Sequence, residues 1–86
     1  MGDTLGSILR YFRKKQGMTQ KELATRADLE RTYISMLERS VYMPTVKTFC
    51  AYCEGLDLPS SLVMSRIEEK LGPSDSWPDT NPPDKS

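Results

Sequence analysis

Apolar residues recur along the first half of the chain at intervals of three and four. Leu5, Ile8, Leu9 and Phe12 stand at i, i+3, i+4 and i+7, one stripe on a helix. Asp3 or Thr4 is placed to cap that helix, and Gly17, after Lys14-Lys15-Gln16, is a stop with cations in the last turn. Thr19-Gln-Lys-Glu22 has the form of a capping box, opening a second short helix that buries Leu23, Ala24 and Ala27. The small alanines leave room for another helix to approach closely. Asp28-Leu29-Glu30 allows only a tight turn before a third stretch, Arg31 to Arg39, with Ile34 and Leu37 inward. Ser40 to Pro44 is a loop. Thr45 then caps a fourth helix with a wide stripe of Val46, Phe49, Cys50, Cys53 and Leu56. Pro59 opens a fifth helix running to about Leu71, with Leu62, Val63, Ile67 and Leu71 on one side. Nothing alternates like a strand, and no internal repeat is visible. The pattern predicts an all-α, five-helix domain.

Gly72 ends the folded part. The residues after it carry four of the six prolines and almost no apolar side chains, the composition of a disordered tail. The chain is therefore divided into a domain over 1–71 and a Pro-rich tail over 72–86. Trp77 departs from the tail's composition, either as an exposed aromatic or as an anchor on the domain or a partner.

A chain of 86 residues makes one small domain. No apolar run approaches the roughly 20 residues that span a bilayer, and the N-terminus has no basic start followed by an apolar stretch. The reading is a cytoplasmic protein with no membrane association. Net charge is zero, yet it is unevenly spread. Residues 1–40 hold eight bases and five acids, leaving +3, and residues 41–86 hold four bases and seven acids, leaving −3. Such asymmetry suits polyanion binding on one face.

Little in the sequence offers chemistry. Cys50 and Cys53 form a C-x-x-C, but it falls mid-helix in an apolar stripe rather than at a helix start beside a βαβ pattern. With no His and no other Cys, a zinc site lacks its remaining ligands. The pair is expected to be buried packing thiols. No metal or cofactor is expected. The absence of a ligand cluster, a phosphate-cradling Gly loop or evident paired carboxylates argues against an enzyme.

Leu5-Gly-Ser-Ile-Leu-Arg-Tyr-Phe-Arg-Lys-Lys-Gln-Gly-Met-Thr-Gln-Lys-Glu-Leu-Ala, then Arg-Thr-Tyr-Ile-Ser-Met-Leu-Glu-Arg, then Pro44-Thr45, resembles the phage repressor and Cro-like family, also called the xenobiotic-response-element family. The resemblance covers about residues 5–64. It implies a lambda-repressor-like DNA-binding domain with a helix-turn-helix, and a regulator of transcription, a repressor, that reads operator half-sites. Helix 31–39 is the counterpart of the recognition helix, which lies in the major groove.

Positions 31, 32, 35 and 36 face away from Ile34 and Leu37 on that helix. Arg31 has the fork for guanine O6 and N7; Thr32 and Ser35 can bond bases or phosphate; Met36 offers apolar contact. Glu30 stands where the family has a Ser or Thr cap, and either accepts from cytosine N4 or repels phosphate. Gln20 matches the glutamine that bonds a DNA phosphate at a helix start. Thr19, Lys21, Tyr33 and Arg39 join it as backbone contacts, as do Lys14 and Lys15 if they face the same way; otherwise those lysines are a solvated face. Arg13 and Glu38 match a structural ion pair tying the first helix to the end of the third. Asp28 and Ser40 replace residues that are usually Gly, and Asp tolerates positive φ better than most. The implied partner is double-stranded DNA with a palindromic operator, bound by a homodimer joined through Leu62, Met64 and Leu71 of the fifth helix. The rival is a protein-interaction module of the same fold, such as an antitoxin or accessory regulator. Gln20 and Arg31 favour DNA; zero net charge and Met36 favour the rival.

Overall fold

The structure is a computed structural model and describes residues 4–72; Asp3 as an alternative cap, and the tail from residue 73 with Trp77, lie outside the described residues. Five helices follow in order: α1 (Leu5–Lys15), α2 (Gln20–Ala27), α3 (Arg31–Glu38), α4 (Val46–Leu56) and α5 (Ser60–Leu71). Among the described residues there is no strand.

Local chemistry sets the helix ends. The Thr4 hydroxyl accepts from Ser7 N–H at 3.1 Å, and Ser7 Oγ accepts from Thr4 N–H at 2.9 Å, closing a capping box on α1. Thr19 and Glu22 do the same for α2 at 3.0 and 2.9 Å, as the sequence predicts. Asp28 sits at φ 58° and Ser40 at φ 61°, so both replacements for Gly adopt the left-handed backbone that Gly would take. Asp57, at φ 63°, ends α4 the same way and was not foreseen.

The core gathers Leu9, Leu23, Ile34, Leu37, Tyr52, Leu56, Val63 and Ile67 from all five helices, each essentially inaccessible to water. Val46, read into the buried stripe of α4, is corrected, and Leu62, read both into the α5 stripe and as an exposed dimer contact, lies outside the core. Val46 is 81% exposed and Leu62 49% exposed. The buried stripe of α4 runs through Phe49, Tyr52, Cys53 and Leu56, which leaves Val46 and Cys50 at its edge. Cys53 is buried as expected, but Cys50 is only half-buried. On α5 the buried line is Val63 and Ile67, with Met64 and Leu71 half-buried against the core. The third helix is one residue shorter than expected, Arg39 being its C-cap.

Two glycines permit close crossings. A Cβ on Gly6 would collide with the backbone carbonyls of Leu37 and Glu38, so α1 crosses the end of α3 only because no side chain is there. A Cβ on Gly55 would come within 2.7 Å of Leu23 Cδ1 and 3.0 Å of Ala27 Cβ, so α4 closes on the small-residue face of α2. The last carbonyls of α4 are then reached from elsewhere: Gln16 Nε2 donates to Leu56 at 2.8 Å and Arg26 Nε to Gly55 at 2.9 Å. Among the described residues no helix is long and apolar enough to cross a membrane.

Candidate nucleic-acid interface

Helices α2 and α3 are joined by the three residues Asp28 to Glu30, and the left-handed Asp28 turns the chain sharply between them. Glu30 occupies the N-cap of α3 but makes no side-chain cap bond, and it is exposed. Arg31 and Thr32 are exposed, Ser35 and Met36 half-buried, and Ile34, Leu37 and Glu38 buried. The helix thus divides as its periodicity requires, with 31, 32, 35 and 36 on the side away from the core. Tyr33 is half-buried and lies 6.0 Å, centroid to centroid, from Tyr42. Arg39 is exposed beyond the last turn.

The start of α2 opens into a surface concavity. Thr19, Gln20 and Lys21 line it together with Lys14 and Arg13 from α1 and Arg31 from α3. Free N–H groups at a helix start and three exposed cations so converge on one place, an arrangement suited to an anion. The four lysines and arginines proposed for backbone contact do not all take part. Lys15 instead holds its ammonium 5.9 Å over the ring of Tyr11, and Arg39 is not on this wall.

Behind the concavity lies a buried ionic network that joins four helices. Arg13 donates to Glu38 through Nε at 2.7 Å and Nη2 at 2.9 Å, and its Nη1 donates to the Met18 carbonyl at 2.7 Å. Gln20 Nε2 donates to Glu38 Oε1 at 3.1 Å, and the Tyr52 hydroxyl donates to Glu38 Oε2 at 2.7 Å. The side chains of the pair are 8% and 2% exposed, so this is a desolvated contact rather than a surface one. Burial pushes the Glu38 carboxyl up, but the bonds from Arg13, Tyr52 and Gln20 outweigh it and hold the group below its ordinary value. The bond to Glu38 raises Arg13 against a smaller opposing effect of burial. Burial and the adjacent carboxylate raise the Tyr52 phenol far above its ordinary range, so it stays a donor.

Tyr52 was missed in the sequence. Its one signal was a hydroxyl inside a buried stripe, which requires a partner. Nothing local marked Gln20 as a partner of Glu38. The cysteines are both free, and burial and then neighbouring Cys50 push the Cys53 thiol up to about 12. No group of three or more metal-ligating side chains exists among the described residues.

Residues 9–63 match a protein family described as Helix-turn-helix. The chain belongs to this helix-turn-helix family. That is the family to which the motifs of residues 5–64 pointed. Relatives of this family member include the transcriptional regulator ClgR of Mycobacterium tuberculosis, 32% identical over 69 residues, covering 80% of this chain and 62% of ClgR. The immunity repressor protein of Bacillus phage phi105 is 34% identical over 68 residues, covering 79% of this chain and 46% of the repressor. The chain therefore spans less than two thirds of these relatives' length. Among solved structures, the restriction–modification controller protein C.Esp1396I matches with a TM-score of 0.71 at 29% identity, covering 77% of this chain and 86% of the controller. The same controller bound to a 19 base pair DNA duplex matches with a TM-score of 0.71.

Proposed function

We propose that this helix-turn-helix protein is a sequence-specific, non-catalytic regulator of transcription, a cytoplasmic repressor that binds duplex DNA through α3. The observation that carries the reading is the convergence of Gln20, Lys21, Lys14 and Arg31 around the start of α2, next to the exposed side of α3. Phosphate contacts at α2 would set the register, and base contacts from α3 would supply sequence. In this reading Arg31 takes guanine, Glu30 accepts from cytosine N4, Thr32 and Ser35 bond base edges, and Met36 covers a thymine methyl. Thr19, Gln20 and Lys21 hold one phosphate region, with Tyr33 and Arg39 further along. The relatives named as regulators and the controller seen with a duplex support it. Residues 1–71 form the binding unit, and 72–86 lie outside it.

One short recognition helix touches few base pairs, and zero net charge adds little non-specific attraction. Tight binding then calls for a homodimer on a palindromic operator, with recognition helices about 34 Å apart. Exposed Leu62 and half-buried Met64 and Leu71 make up the contact on α5. Mobility-shift titration against random and selected duplexes at two salt concentrations tests the proposal. Arg31→Ala should lower specific affinity by about 1–3 kcal/mol and relax one guanine per half-site, whereas Gln20→Ala should weaken all duplexes alike. A protein that binds no duplex at either salt concentration is instead a protein-interaction module of the same fold.

A further inference from the structure

Glu38 is buried, and yet one of its four hydrogen bonds goes to a residue of the proposed phosphate site. We infer that Glu38 is a positioning residue for DNA binding: it holds the Gln20 side chain so that an N–H, and not the amide oxygen, meets the phosphate. The inference rests on the DNA-binding reading above.

A glutamine amide has two nearly identical ends, one donating and one accepting. At a phosphate site only the donating end is useful, since the amide oxygen would repel the anion. Free in water, the side chain also rotates, and ordering it on binding costs entropy. Glu38 removes both problems. Its Oε1, 3.1 Å from Gln20 Nε2, can only accept, because Arg13 and Tyr52 keep the carboxylate ionised. The amide is thereby turned with its nitrogen inward to the carboxylate. One N–H is used there and the second stays on a side chain that lines the concavity with Lys14, Lys21 and Arg31. The two Arg13 bonds balance the carboxylate's charge, so it does not oppose an incoming phosphate. Tyr52 and Arg13 in turn fix the carboxylate from α4 and α1, which extends the device through the core.

Charge and positioning make opposite predictions for Glu38→Gln. Removing a negative charge from a DNA-binding face should tighten binding to any duplex. Loss of positioning should weaken it by about tenfold, the scale of one charge-assisted contact. The test is affinity for a random duplex, by fluorescence anisotropy, for wild type, Glu38→Gln, Gln20→Ala and the double variant, with helix content checked for each. The expected result is a roughly tenfold loss in either single variant and no further loss in the double variant, since both remove one contact. Losses that multiply in the double variant, or tighter binding by Glu38→Gln, overturn the inference and leave the DNA-binding reading intact. Absence of binding by the wild type overturns both.

Should Glu38→Gln not fold, the wild-type side-chain amide signals decide. Gln16 and Gln20 are the two glutamines of the chain, so assignment is simple. The Gln20 amide should be rigid before DNA is added, and random duplex should shift one of its two N–H signals and leave the other. An amide that is mobile in the free protein, or one whose two signals move together, overturns the inference.

Discussion

Replacing Tyr52 by Phe removes one oxygen from the centre of the molecule and tests the ionic network where it is most enclosed. The ring itself is fully buried and would stay in place. The lost group donates to Glu38 Oε2 at 2.7 Å and lies 3.1 Å from the Leu9 carbonyl. With a single proton, the hydroxyl spends it on the shorter, charged contact. A hydrogen bond to a charged group is worth about 1.5–3 kcal/mol, and the carboxylate here has no water to turn to. Glu38 keeps its bonds to Arg13 and Gln20, so the lower part of that range, about 2 kcal/mol, is expected. For a domain of this size each kcal/mol moves the melting temperature by about 4–8 °C. The penalty should also depend on pH with a definite sign. The Glu38 pKa is held below the ordinary carboxylate value of 4.5, so its stabilisation is complete above that value and fades as pH falls through the lower folded value. Tyr52 remains protonated throughout, since its own shift is upward. Urea unfolding of wild type and Tyr52→Phe at neutral pH and at successive steps below pH 4.5 therefore gives a large difference at neutral pH that shrinks once the pH passes below the folded Glu38 value. A variant as stable as wild type at neutral pH, or a difference independent of pH, would refute the assignment of the hydroxyl's proton to Glu38.

Gly6→Ala places a Cβ against the Leu37 and Glu38 carbonyls, and overpacking against backbone of about 1–3 kcal/mol or more should appear as a lower urea midpoint. An unchanged midpoint would mean that α1 and α3 do not cross as closely as described. Cys50 is half-buried while Cys53 is buried with its thiol raised to about 12, so iodoacetamide at mild alkaline pH should modify Cys50 alone in the folded protein. Mass spectrometry showing equal labelling of both would contradict that burial. Met64→Glu puts a charge on the half-buried edge of α5 proposed as the dimer contact and should give a folded monomer with weak, non-cooperative operator binding. Sedimentation that finds the wild type already monomeric at tens of micromolar, while it binds DNA tightly as one copy, would remove the dimer.

Much of this protein was legible without coordinates, and the reason is locality. A capping box is complete within four residues, so Thr19 and Glu22 announce the start of α2 by themselves. The stripe of Leu5, Ile8, Leu9 and Phe12 needs only the helical repeat to define a buried face, and those four residues are buried. Asp28 and Ser40 could be flagged as positions of positive φ only through the resemblance, because the family usually has Gly at both. The division of α3 into an inward side at Ile34 and Leu37 and an outward side at Arg31 and Thr32 follows from the same repeat.

Where two or more segments had to meet, the sequence was silent or ambiguous. Periodicity admits Val46 and Leu62 to their stripes, but burial depends on whether a neighbour covers that edge of the helix, and among the described residues none does. Lys14 and Lys15 are adjacent and alike in sequence. Lys14 lines the concavity because the start of α2 and Arg31 of α3 lie beside it, whereas Lys15 holds its ammonium over Tyr11, one turn earlier on α1. Arg13 and Glu38 could be paired by resemblance, but the bonds from Gln20 and Tyr52 join residues 18 and 14 positions from Glu38 on other helices. A hydrogen bond between helices is set by the packing that brings its ends within 3 Å or so, and packing is a property of all five helices at once. The sequence determined which residues would form helices and which face each would bury; tertiary structure alone decided which buried polar groups would find each other.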